Sequence, residues 1–113
     1  MAVIAVLTNL PDSESAFNLA RTLVRRRLAA CVNVLGPATS FYRWDGREEE
    51  ARETPVLIKS TRECYPELER VILELHPYTL PEIIAFPAEL GLENYLGWVR
   101  DECKPDPEPG ATP

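Results

Sequence analysis

The sequence is poor in the residues that many classes of active site require. Its 113 residues include one histidine and five scattered glycines. A Ser-His-Asp or Cys-His arrangement would have to use that one histidine, His76, and the chain carries neither a GxSxG nor an HExxH motif. The glycines form neither a dinucleotide fingerprint nor a phosphate-binding loop. We therefore expect a protein that assembles and binds a ligand, and not an enzyme.

Cysteine is also scarce. The three cysteines, Cys31, Cys64 and Cys103, are an odd number without CxxC spacing, which argues against a disulfide framework or a zinc site closed by one chain. The first nine residues show no basic leader or small-residue cleavage site, and no apolar run reaches the roughly 18 residues of a membrane span. These features predict a cytoplasmic protein with reduced thiols.

The chain has fewer basic residues than acidic residues. There are 18 acidic residues against 12 basic ones, so the net charge is −6. An acidic chain gains little of the counterion-release affinity that drives nucleic-acid binding, so nucleic acid is not an expected partner, and no feature suggests a membrane. A hydrophobic content of 45% is ordinary for a globular protein.

The hydrophobic pattern predicts the order β-α-β-β-α-β followed by a short helix. This is the order of the ferredoxin-like, split βαβ fold, an α+β domain with a four-stranded antiparallel sheet and two helices on one face. The tail, residues 104–113, holds four of the eleven prolines and no aromatic residue, so we expect a domain over residues 1–103 and a disordered end. The predicted strands are 2–7, 30–44 with an interruption at Gly36-Pro37, 54–60 and 82–86, and the predicted helices are 13–28, 62–75 and 91–101.

The predicted hairpin in the middle of the chain is too long for its sheet. Residues 30–44 would extend about 50 Å as a strand, whereas the first and last strands have about six residues each. On its outer part Ser40, Tyr42 and Trp44 share one face, and a two-stranded ribbon with exposed aromatic residues needs a partner. We expect the ribbon to pack against other copies of the chain in a closed oligomer. The alternative is that the terminal helix, with Trp98, covers these aromatic residues.

Two positions should interrupt or turn the strands. Asp45-Gly46 is a strong signal for a tight hairpin turn. Pro55 lacks a backbone donor, so it should lie at a sheet edge or at a bulge.

The stretch 76–82, HPYTLPE, is the most unusual segment. Its two prolines stiffen the connection between the second helix and the last strand, and a rigid loop presents its side chains at fixed places. A neutral His76 ring and a Cys31 thiolate could bind a metal ion, and such ligands suit copper or zinc better than magnesium. A histidine after a helix can equally cap carbonyl groups, and a cysteine in an apolar strand can simply be a small hydrophobic residue.

Several motifs together resemble one protein family. The segments RLAACVN, SFYRWDG, IKS, HPY, PEI and YLGW are similar to those of the CutA divalent-cation tolerance proteins, in order and in register from about Ala2 to Arg100. These segments are residues 27–33, 40–46, 58–60, 76–78, 81–83 and 95–98, together with Glu53.

The resemblance implies a ferredoxin-like subunit in a homotrimer whose long hairpins make contacts between subunits. The residues that would lie at the trimer interface are Ser40, Tyr42, Trp44 and Glu53.

The resemblance further implies a role in tolerance of, and response to, copper and other divalent metal ions. Cys31 and His76 match the residues discussed as copper ligands in the family, and Cu(II) or another divalent metal would be bound without being required for folding. Thr79 stands where the commoner family motif has an acid, which removes one oxygen ligand from this loop.

The family's likeness to PII-type regulatory trimers implies an alternative function. Such a trimer would bind a small anionic ligand between subunits and signal to a partner protein. Tyr78, Glu82 and Lys59 are the candidate residues for this ligand, with Arg43 as a further lining residue. A third possibility is an assembly module without a ligand.

Overall fold

The computed structural model describes residues 2–104, so the predicted tail beyond Lys104 lies outside the described residues. Within them the chain forms five strands and three helices in the predicted order. The strands are β1 (Val3–Leu10), β2 (Cys31–Val34), β3 (Ala38–Trp44), β4 (Arg47–Thr61) and β5 (Ile84–Pro87), and the helices are α1 (Ser13–Arg25), α2 (Tyr65–Leu75) and α3 (Glu93–Glu102). Nowhere in residues 2–104 is there a helix with the length and apolarity needed to cross a bilayer.

The strands form one antiparallel sheet. Their order is β2-β4-β1-β5, and β3 continues the pairing along β4. β1 pairs over its whole length with residues 54–61 of β4, and β5 adds to the other edge of β1. This arrangement confirms the predicted ferredoxin-like α+β fold. The described sheet counts five strands because the second predicted strand is divided into β2 and β3.

Helices α1 and α2 cover one face of the sheet and form the main core. Alternate side chains of β1 point to this face and are buried, as the two-residue period of a strand requires. Burying an aliphatic side chain of this size fully contributes about 1.5–3 kcal/mol. The main contributors are Ile4, Val6 and Leu10 from β1, Val56 and Ile58 from β4, Leu19 and Leu23 from α1, and Leu68, Val71 and Ile72 from α2.

Two helix boundaries differ from the prediction by three residues, each for a local reason. α1 ends at Arg25, three residues early, because Arg27 adopts a left-handed backbone conformation with φ of 59°. α2 begins at Tyr65, three residues late, since Pro66 is favoured only in the first turn of a helix.

Helix α3 packs on the opposite face of the sheet, at the end where β1 begins. Val99 from α3 and Val3 from β1 are buried there with two of the cysteines. The Arg27 side chain donates hydrogen bonds to the carbonyl oxygens of Asp101 (3.0 Å) and Glu102 (3.3 Å). These bonds satisfy carbonyl groups that the end of a helix leaves unpaired, so Arg27 holds the last turn of α3 in place.

The hairpin projects from the sheet as predicted, but its returning strand is longer than predicted. Residues 38–44 pair with residues 47–53, and no other described strand lies beside this part of β4. The prediction that the strand returns only at Thr54 is therefore wrong: the acidic stretch 48–50 pairs with β3 while its side chains face solvent. Asp45 and Gly46 form the tight turn with φ of 52° and 76°. Seven residues carry the ribbon about 23 Å beyond the sheet.

The hairpin's aromatic side chains remain exposed within the described chain. Phe41 is 74% exposed, and Trp44 is 50% exposed. α3 lies at the other end of the sheet, where Trp98 packs against Tyr95 with ring centroids 5.7 Å apart. The alternative that α3 covers these aromatic residues is therefore wrong for a single chain.

A bulge separates β2 from β3 and explains the position of Pro55. β2 ends with Val34 opposite Val56, and β3 begins with Ala38 opposite Glu53, so three residues stand opposite two. The Pro55 carbonyl oxygen accepts a backbone hydrogen bond of 2.9 Å from the bulged strand. Pro55 has no backbone N–H, and the ladder of hydrogen bonds between the strands is already interrupted at this point. The predicted placement of Pro55 at a bulge is therefore confirmed, although β4 is a central strand of the sheet.

The buried Ser60 hydroxyl generates a stability prediction. It donates a 2.6 Å hydrogen bond to the Leu28 carbonyl oxygen, which links β4 to the chain after α1. We expect Ser60→Ala to lower the free energy of unfolding by about 1–3 kcal/mol, because the buried carbonyl group loses its donor. Denaturant unfolding followed by circular dichroism checks this. The exposed control Thr39→Ser should change the stability by less than about 0.5 kcal/mol, and equal losses in both variants would contradict the assignment.

Candidate functional site

The hairpin and the loop that follows α2 enclose an open cleft of about 1050 Å³. The hairpin forms one wall, and residues 77–83 form the other. The structure thus brings together most of the interface and ligand-loop residues predicted from the sequence. Those that line the cleft are Ser40, Tyr42, Trp44, Glu53, Tyr78 and Glu82.

Glu53 lies at the base of the cleft, where the hairpin leaves the sheet. It pairs with Ala38, and alternation along β3 and β4 places it on the same face as Ser40 and Tyr42. Only 9% of Glu53 is exposed. The Tyr78 phenol faces the Glu53 carboxylate, and burial together with the Glu53 charge raises the pKa of Tyr78 to about 12. Tyr78 therefore stays neutral near pH 7.

A second carboxylate enters the cleft from the loop. Glu82 Oε1 accepts a 3.1 Å hydrogen bond from Asn9 Nδ2, which joins the loop to the end of β1. No Lys, Arg or His is found in the lining that the described residues provide. Two acidic groups without a basic neighbour make the cleft electronegative, so it attracts cations and repels anions.

His76 lies behind the cleft and is nearly buried, at 8% exposure. Its Nε2 is 2.7 Å from the Asn9 carbonyl oxygen, and its Nδ1 accepts a 3.2 Å hydrogen bond from the Tyr78 backbone N–H. This pattern assigns a neutral ring with its proton on Nε2. Because both ring nitrogens have partners inside the chain, His76 holds the loop to β1, and it could bind a metal only by giving up one of these bonds.

Cys31 and Lys59 lie outside the cleft, on the face of the sheet opposite α2, whose end carries His76. They stand opposite each other on β2 and β4, on the sheet face that α1 and α2 leave open. The Lys59 ammonium donates to the Asn33 side-chain oxygen. Cys31 is half-buried, and burial together with its thiol raises the pKa of Tyr95 in α3.

The two predicted metal ligands do not share a site within one chain. Cys31 lies in β2, two strands away from β1, and it pairs with Lys59, which in turn pairs with Ala5 of β1. His76 contacts Asn9, which is four residues further along β1 than Ala5. Strand geometry places these points about 16 Å apart, whereas copper or zinc ligands lie within roughly 2.3 Å of the ion. No group of three or more His, Cys, Asp or Glu side chains that could hold a metal occurs among residues 2–104.

Asn9 is the functional residue that sequence reasoning missed. It accepts from His76 through its backbone and donates to Glu82 through its side chain, so it connects both ends of the loop. The prediction ended the first strand at Leu7, whereas β1 continues to Leu10. Because the predicted strand ended before Asn9, no sequence signal marked Asn9 as part of the sheet.

Comparison with known proteins identifies the family. The family model of the CutA1 divalent ion tolerance protein matches residues 4–102. The chain belongs to this family. The divalent-cation tolerance protein CutA of Thermus thermophilus is 45% identical over 96 residues, which cover 85% of this chain and 93% of that protein.

Solved structures of the family share the fold. The divalent cation tolerance protein (Cut A1) from Thermus thermophilus has a TM-score of 0.88 at 42% identity, covering 90% of this chain and 99% of that one. The CutA structure from Archaeoglobus fulgidus, described as a periplasmic divalent cation tolerance protein, has a TM-score of 0.87 at 33% identity over 90% of this chain and 99% of its own. The predicted resemblance to CutA is therefore confirmed.

The structural role of His76 can be separated from metal binding. We expect His76→Ala to lower the free energy of unfolding by about 1–3 kcal/mol, because the partly buried Asn9 carbonyl oxygen loses its donor. The loss should be the same with excess chelator as with added divalent metal, measured by denaturant unfolding. A loss that appears only when metal is present would contradict the hydrogen-bonded role.

The pairing of Tyr78 with Glu53 generates a pH prediction. Since the pKa of Tyr78 is raised from 10 to about 12 in the folded protein, the stability from this pair is complete below pH 10 and is lost between pH 10 and about 12. Glu53→Gln should move one phenol titration toward pH 10, followed by phenolate absorbance. The control Glu50→Gln changes an exposed carboxylate on the other hairpin face and should leave the titration unchanged. Identical curves for both variants would exclude the pairing.

Proposed function

We propose that the protein is a homotrimer that binds divalent metal ions in the cleft. Through this binding it contributes to the cell's tolerance of these ions and to the cell's response to them. The observation that carries this proposal is the charge of the cleft. Glu53 and Glu82 bring two carboxylates to one site whose lining, as the structure describes it, contains no basic residue. A divalent cation neutralises both charges, whereas a small anion would be repelled.

The donor set of the cleft fits a cation that accepts oxygen ligands. The Glu82 carboxylate accepts one hydrogen bond, from Asn9, the Glu53 carboxylate faces the Tyr78 phenol, and a carboxylate has about four acceptor positions. Both therefore keep lone pairs for an ion. Because residues 2–104 provide no cluster of three ligands, water or a neighbouring subunit supplies the rest of the coordination sphere.

The more specific proposal, that the bound metal is copper, follows from the family resemblance. Cys31 and His76 remain the proposed copper ligands, but the separation of their positions requires each to bind with other partners. Cys31 is half-buried on the open sheet face, where contact with other copies would complete a site. Binding to His76 requires the loop to release one of its two hydrogen bonds.

Two exposed apolar surfaces support assembly. The hairpin exposes Phe41, Tyr42 and Trp44, and the edge strand β5 exposes Ile84 and Phe86 by nearly half each. Contiguous apolar surfaces of this kind mark interfaces, and the burial of a projecting ribbon also removes its free edges. The number of three copies is taken from the family resemblance.

We further propose that the protein works in the cytoplasm by binding and not by catalysis. All three cysteines are free, as a reducing compartment would keep them. The regulatory alternative has less support in this cleft. Arg43 lies 3.8 Å from Glu48 on the hairpin, and Lys59 is bonded to Asn33 on the sheet, so neither of these cations lines the cleft.

Titration calorimetry with Mn(II), Zn(II) and Cu(II) tests the metal site. We expect Glu53→Gln and Glu82→Gln each to weaken binding of at least one ion about tenfold, the effect of losing roughly 1.4 kcal/mol. The matched control Glu50→Gln removes an equal charge outside the cleft and should bind normally. Equal affinity in all four proteins, or no binding by the parent, would refute the proposed site.

Sedimentation velocity tests the assembly. We expect the parent protein to sediment as a trimer at micromolar concentration, and the double variant Tyr42→Ser, Trp44→Ser to sediment largely as smaller species, because it loses apolar contact area on the hairpin. Leu90→Ser is the control, since Leu90 is 94% exposed and lies outside the hairpin. A monomeric parent protein would refute the trimer.

A further inference from the structure

Two cysteines that the proposed function does not use meet inside the protein. Cys64 immediately precedes α2, and Cys103 immediately follows the last turn of α3. They are 39 residues apart in the sequence and are 3% and 2% exposed. Both belong to the small core cluster with Val3 and Val99 that fixes α3 to the sheet.

The two cysteines are direct neighbours. Cys64 Sγ donates a 3.6 Å hydrogen bond to the Cys103 carbonyl oxygen, and Cys103 Sγ lies 4.0 Å from Ser60 Oγ. Burial, and after it the neighbouring Cys64 thiol, raises the pKa of Cys103 to about 11. Both cysteines are reduced in the structure. Two buried cysteines in contact where two helix ends meet are placed for covalent linkage.

We propose that Cys64 and Cys103 form an intrachain disulfide when the protein meets a low-molecular-weight disulfide oxidant, and that this bond fastens α3 to the start of α2. One cysteine attacks the oxidant as a thiolate, which gives a mixed disulfide and releases one small thiol. The other cysteine attacks the mixed disulfide, which closes the protein disulfide and releases the second small thiol. The oxidant takes both electrons, and the two protein protons end on the two released thiols.

Access to the pair is controlled by the end of α3. Cys103 is the residue that caps this helix, and its N–H bonds to the Val99 carbonyl oxygen at 3.1 Å. Opening one helical turn therefore exposes its sulfur without unfolding the sheet. Arg27 opposes this opening through its bonds to the Asp101 and Glu102 carbonyl oxygens. The thiols thus react slowly in the native protein, and the last turn of α3 sets the rate.

Peptide mapping of the oxidised native protein tests the proposal. The full chain is incubated with oxidised glutathione, free thiols are blocked with N-ethylmaleimide, and the digest is analysed by mass spectrometry. We expect a peptide pair linked through Cys64 and Cys103, about 2 Da lighter than the two reduced peptides together. Oxidation should also raise Tm by about 10 °C, reversibly with dithiothreitol, because it closes a long loop.

Two variants sharpen the test. Cys31→Ala, the matched control, should form the same linked pair at the same rate as the parent. Arg27→Gln should form it faster, since it frees the last turn of α3 while leaving both thiols in place. Recovery of Cys64 and Cys103 as blocked thiols or as separate glutathione adducts would overturn the proposal, as would a linkage between chains.

Discussion

The continuous strand β4 is the element on which the rest of the structure depends. Its inner half, residues 54–61, lies between β1 and β2 and carries part of the core. Its outer half pairs with β3 and forms the hairpin. Because one continuous strand forms both halves, the side chains on each face of the hairpin have a fixed position relative to the core. Glu53 stands at the junction, so the same strand that builds the fold also sets the base of the cleft.

Two hydrogen bonds and one polar contact then hold the other wall of the cleft. His76 and Glu82 bond the two ends of the loop to Asn9, and Tyr78 in its middle faces Glu53. These neutral donors hold the loop without placing a cation beside the carboxylates. The result is a rigid and electronegative cleft beneath an exposed aromatic ribbon, an arrangement in which assembly and ion binding would reinforce each other.

The fold and the projecting hairpin were predictable from the sequence, but the separation of Cys31 from His76 was not. Alternating burial and the excess length of residues 30–44 are local properties, so strand order and a projecting hairpin follow from them. Cys31 and His76 were combined because both are metal-ligating residue types, yet their separation depends on long-range strand register. Asn9 escaped notice for the same reason, since its role exists only once β1 lies beside the loop.

Anomalous diffraction from crystals of the protein soaked with Mn(II) tests the central claim most directly, because it locates the ion and shows the assembly together. The account predicts a trimer with an anomalous peak in each cleft, about 2.0–2.6 Å from carboxylate oxygens of Glu53 and Glu82. Clefts without a peak, in crystals where the ion binds elsewhere on the protein or not at all, would contradict it.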